Sequence, residues 1–101
     1  MSSVWIGFFT LTGPRENPML DGNVGACLWI AAQAEDQAKL HLQATYAMKD
    51  LGLTVVEAED LHEGLDESEL SEEQEKLIPE ARRNVESVVC GTWHRFKNHD
   101  A

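Results

Sequence analysis

Basic residues are scarce in this sequence. Eight Lys and Arg stand against eighteen Asp and Glu, a formal net charge of -10. A chain so charged does not seek nucleic acid phosphates or anionic membrane as a whole; its electrostatic complement is a basic protein. Cysteine is scarcer still, at two residues. Small secreted scaffolds built on disulfides usually carry four or more, so such a framework is not expected. No apolar run approaches the roughly 20 residues that a membrane helix requires. Val4 to Leu11 is apolar enough for a secretory leader, but no basic residue precedes it and no small-residue cleavage site follows. Together these absences predict a reducing, cytoplasmic setting. Repeats, low-complexity tracts and linkers are missing too. What remains is ordinary globular composition, 43% hydrophobic and 26% charged over 101 residues. That predicts a single α+β domain over residues 1–101, with a core that needs no metal or disulfide.

The charge is concentrated. Between Glu57 and Glu75 lie ten of the eighteen acids and no Lys or Arg, which leaves the rest of the chain neutral with eight of each sign. Clustered like charges repel, and salt screens them over about 8–10 Å. A chain keeps such a cluster at low cost only on a solvated surface.

Apolar and turn residues divide the remainder into elements. Val4–Leu11 is rich in aromatic and β-branched residues and reads as a strand. Residues 12–25 hold Gly13, Pro14, Asn17, Pro18, Asp21, Gly22, Asn23 and Gly25, the chemistry of a long loop. Ala26–Ala32 reads as a central strand buried on both faces. Ala34–Leu51 has the spacing of a helix, with Glu35 and Asp36 at its positive end and Gly52 just after it, where a left-handed cap is expected. Leu53–Ala58 is a third strand, completing a βαβ unit. Ser71 and Gln74 fit a capping box for a second helix, in which Pro79 predicts a kink or a new start. The last strand falls within residues 87–96, and residues 85–90 suit helix and strand equally. The order β-β-α-β-α-β predicts a two-layer α+β sandwich: a four-stranded sheet with both helices on one face. Leu28, Ile30, Leu40, Ala44, Leu51, Val55 and Leu77 are its expected core.

Few residues carry chemistry. His41, His62, His94 and His99 form no H-x-x-x-H pair and Cys27 and Cys90 no C-x-x-C, so no metal site is expected. Asp60, His62 and Glu63 stand together in an expected loop, read as a solvated polar segment rather than a divalent-ion site. Cys90 and His94 fall on one strand face about 13 Å apart, too far for a hydrogen bond. Each cysteine reads as a small buried hydrophobe, with one disulfide open if their strands adjoin. Nucleophile elbows and phosphate-binding glycine patterns are absent. No catalytic residue and no cofactor is therefore expected. Trp5, Trp29 and Trp93 lie on three predicted strands, where they can share a sheet face as core or as a platform for a partner or second copy.

Two stretches carry a resemblance. Residues 38–59, with an alanine-rich helix, a Leu51-Gly52-Leu53 step and the strand Val55-Val56-Glu57-Ala58-Glu59, resemble the βαβ half of small ferredoxin-like bacterial proteins. Gly91-Thr92-Trp93-His94-Arg95-Phe96 resembles the closing strand of some small uncharacterised or immunity-type bacterial proteins. The resemblance implies a ferredoxin-like arrangement and an antitoxin-like inhibitor, and it transfers no catalytic residue.

The functional expectation is a small acidic non-enzymatic interaction module that docks a basic partner through residues 57–75. Its partner-binding residues are Glu59, Asp60, Glu63, Asp66, Glu67 and Glu69, with Trp29 and Trp93. The rival expectation is a small-molecule module or enzyme, with a cleft between the 12–25 loop and a sheet face lined by Trp29, Trp93 and His94.

Overall fold

The computed structural model describes residues 3–14, 16–63, 72–83 and 88–96. Its elements are β1 (Ser3–Thr12), β2 (Gly25–Ala34), α1 (Gln37–Asp50), β3 (Thr54–Glu63), α2 (Glu72–Arg83), β4 (Val89–Cys90) and β5 (His94–Phe96). The architecture is α+β, and the described residues form five strands rather than four. The strand order is β3-β1-β2-β4, with β5 also pairing β2, and every pairing is antiparallel. The ferredoxin-like order is not the one observed.

β1 and β2 pair without interruption, from Ser3 opposite Ala34 to Thr12 opposite Gly25. Both strands are apolar at consecutive positions, so both faces of the sheet need cover. On one face Phe9, Leu11, Leu28 and Ile30 pack with Leu40, Ala44 and Met48 of α1. On the other, Val4, Ile6 and Ala31 pack with Leu77, Ile78 and Ala81 of α2. Helices on opposite faces replace the expected pair on one face. The physical reason is the alternation of side chains along a strand: an unbroken apolar run exposes apolar surface both ways.

Both β2 and β3 run antiparallel to β1, so they are parallel to each other, with β1 between them. α1 makes that crossing. It begins one turn later than the sequence suggested: Asp36 is the N-cap, and its side chain accepts a hydrogen bond from the Lys39 N–H at 2.9 Å. It ends as its sequence requires. Gly52 has φ +80°, its N–H bonds to the Lys49 carbonyl, and the Leu53 N–H reaches the Met48 carbonyl. This double bond pattern caps the last turn and places buried Leu53 against buried Met48. Leu51 sits on the outer side of that turn, 41% exposed, and is not the core residue its spacing predicted. Val55 is only half-buried, while Leu28, Ile30, Leu40, Ala44 and Leu77 are in the core as expected.

α2 runs through Pro79. Pro79 and Glu75 are both exposed, on the side of the helix where the donor that Pro79 lacks costs least. Ser71 of the expected capping box lies outside the described residues. The last strand is broken: Val89–Cys90 and His94–Phe96 each pair with β2, and residues 91–93 run between them.

Candidate functional site

β3 is an edge strand. Among the described residues only β1 pairs with it, which leaves the backbone donors and acceptors of its outer side without a strand partner. Exposed edges invite other strands, and proteins commonly protect them with charges and bulges. β3 has both. Asp60, His62 and Glu63, expected in a loop, are part of this strand.

The bulges decide where the charges point. Leu11 pairs with Val55 and Thr10 with Glu57, so Val56 is an extra residue. Phe8 pairs with Glu59 and Ile6 with His62, so Gly7 faces the two residues Asp60 and Leu61. Asp60 takes φ +52°, a left-handed conformation that Asp tolerates better than most residues. Each bulge shifts the alternation by one. Val55, Ala58 and Leu61, three apart, therefore all pack against the α1-side core. Glu57 and Glu59 turn to the opposite face, beside Thr10 and Phe8. A strand without bulges would alternate from Val55 to Glu57 on one face and send a carboxylate under α1.

Glu57, Glu59 and Asp60 are exposed and Glu63 is half-buried. Hydrogen bonding to Glu57, and then the Glu57 charge, raises the pKa of Glu59 above its ordinary 4.5; slight desolvation and the Asp60 charge add to this. The pair thus forms a local concentration of negative charge. Asp66, Glu67 and Glu69 lie outside the described residues.

A groove of about 440 Å³ runs beside these carboxylates, open to solvent. Gln37, Ala38 and His41 of α1 form one wall, and Val55, Val56, Glu57, Ala58 and Leu61 of β3 form the other. Four consecutive strand residues can line one groove only if it reaches the strand edge, because side chains alternate between faces. Phe9, whose ring centroid is 6.1 Å from that of His41, lies in the core behind it. The sequence reading missed this groove, since α1 had not been placed relative to β3.

The tryptophans do not form one platform. Trp29 packs with the α2-side cluster and meets Phe8 edge-on, with ring centroids 5.1 Å apart. Trp5 and Trp93 pack against the α1-side cluster. Trp93 also carries the Arg95 guanidinium at 5.9 Å. The loop between β1 and β2 is anchored at three described points. Its Leu20 is fully buried in the α1-side core. The Asn17 side chain donates to the Leu51 carbonyl at 2.6 Å, and Arg95 Nε to the Met19 carbonyl at 2.8 Å. These bonds tie the loop to the C-terminal end of α1 and to β5.

The cysteines are free and half-buried. Cys90 pairs with Ile30 and Cys27 with Thr10, and these pairs belong to opposite faces, so no disulfide joins them. Burial pushes the Cys90 thiol up. His94 is not the same-face neighbour of Cys90 but pairs with Cys27. A row across the sheet thus runs Glu57, Thr10, Cys27, His94, with the Thr10 hydroxyl 3.5 Å from the Cys27 sulfur. Among the described residues no three His, Cys, Asp or Glu side chains gather in a metal-binding arrangement. No described helix is long and apolar enough to cross a membrane. Comparisons with protein-family models, curated proteins and solved structures yield no match.

Proposed function

We propose that this chain is a non-enzymatic interaction module that docks a basic protein along the outer edge of β3. One observation carries the reading. A ten-residue edge strand, with no partner on its outer side among the described residues, bears Glu57, Glu59, Asp60 and Glu63 and no Lys or Arg. An exposed edge offers main-chain hydrogen bonds to an extended segment. Carboxylates on that edge select a basic segment and speed its approach. The same charges discourage a second copy of this chain, whose β3 would bring identical acids alongside. An immunity-type inhibitor would use such an edge to cover a basic surface on its target.

The test uses a labelled lysine-rich peptide and stopped-flow fluorescence. Combined Glu57→Gln, Glu59→Gln, Asp60→Asn and Glu63→Gln should slow association by about tenfold or more at low salt, and high salt should erase the difference. A matched control, Glu16→Gln, Glu35→Gln, Glu72→Gln and Glu75→Gln, removes equal charge from exposed positions elsewhere. It should slow association much less. Equal slowing by both variants, or none by the first, overturns the reading.

A further inference from the structure

Among the described residues β3 has no strand on its outer edge, and the two faces beside that edge differ in chemistry. On the α1 side, Val55, Ala58 and Leu61 face a groove that Val56 and Glu57 also line at the strand edge and whose far wall is Gln37, Ala38 and His41. On the α2 side stand Glu57 and Glu59. A strand added to this edge lies about 4.8 Å away, and its side chains alternate between those two faces. Successive residues therefore meet the groove, with Val55, Ala58 and Leu61 on its strand side, and a pair of carboxylates in turn.

We infer that the occupant of this edge is a short extended segment in which apolar and basic residues alternate. The inference rests on the reading of β3 as the docking edge, and it adds the pattern the partner must carry. Apolar side chains fill the groove beneath α1; basic ones face Glu57 and Glu59. Charge complementarity excludes a second β3 as occupant, because its own carboxylates would meet these. The bulges at Val56 and at Asp60 and Leu61 interrupt the outer edge, so the regular stretch is brief. Side-chain pattern, rather than a long hydrogen-bond ladder, then supplies the specificity.

Three peptides of equal length and charge test this by fluorescence anisotropy. One alternates Lys and Val, one places the same residues in two blocks, and one alternates Lys and Ser. The Lys/Val alternation should bind the intact protein about tenfold more tightly than either of the others. Ala38→Tyr, which fills the groove from α1, should reduce the Lys/Val peptide to the level of Lys/Ser and leave Lys/Ser unchanged. N-methylation at alternate residues should abolish binding in one parity and spare it in the other, because only one edge of the added strand faces β3. If all three peptides bind equally, the pattern is wrong although the acidic docking edge stands. If none binds, both readings fall. Concentration-dependent dimerisation that excludes the peptides would make a second copy the occupant, and this inference would be overturned.

Discussion

Glu57 and Glu59 stand two apart on one face of β3, and hydrogen bonding to Glu57 is the main cause of the raised Glu59 pKa. The folded chain therefore holds that proton more tightly than the unfolded chain. Its contribution to stability is present below the ordinary pKa of 4.5 and is lost as pH rises through the raised value. At neutral pH the two carboxylates repel. Glu59→Gln should raise the urea midpoint at pH 7 and shrink the difference in stability between mildly acidic and neutral solution. A lower midpoint at pH 7 would contradict this account.

Leu40 and Leu51 lie on the same helix and its cap, yet they should respond differently. Leu40 is fully buried against the sheet, and Leu40→Ala should cost about 2–5 kcal/mol. Leu51 is 41% exposed, and Leu51→Ala should cost less than about 1 kcal/mol. Urea unfolding of both variants decides the matter; equal costs would mean the helix is rotated from the orientation described.

Gly25 pairs with Phe96 of β5, where the two strands lie close. A Cβ there would lie 2.4 Å from the Leu11 carbonyl oxygen and 2.5 Å from the Phe96 ring. Gly25→Ala should cost about 1–3 kcal/mol and loosen β5. Hydrogen exchange supplies a local reading, since the Val24 N–H bonds to the Phe96 carbonyl at 3.1 Å. Unchanged protection of Val24 together with unchanged stability would show that β5 does not hold this position.

Burial of Cys90 predicts a thiol slow to ionise and therefore slow to alkylate. In a Cys27→Ser background, iodoacetamide labelling of Cys90 should begin at higher pH in the folded protein than in urea. In the unsubstituted protein, oxidising and reducing electrophoresis should give one mobility, because the two cysteines face opposite sides of the sheet. Labelling of folded Cys90 as fast as in urea would place it on the surface.

Much of the hairpin and first helix was legible because the determinants are local. Gly52 announced the end of α1, since few other residues accept its φ of +80°. The consecutive apolar residues of β2 also announced burial on both faces. That signal conflicted with a sheet covered on one side, and the opposed helices are its resolution. Cover on each face depends on where distant helices dock, which no local pattern specifies.

β3 shows where local reading stops. Its apolar residues Val55, Ala58 and Leu61 recur every three positions, a spacing that matches no regular strand, so the acidic half looked like loop. Only pairing with β1, and the two bulges it contains, makes that spacing consistent with one buried face. The sequence by itself determined that residues 57–63 carry clustered negative charge, because charge is a property of composition. The tertiary structure alone decided that this charge lies on a strand edge that no other described strand pairs, beside a groove under α1. That juxtaposition arises from a β1–β3 pairing across more than forty residues and from the docking of a helix, neither of which is encoded in neighbouring residues.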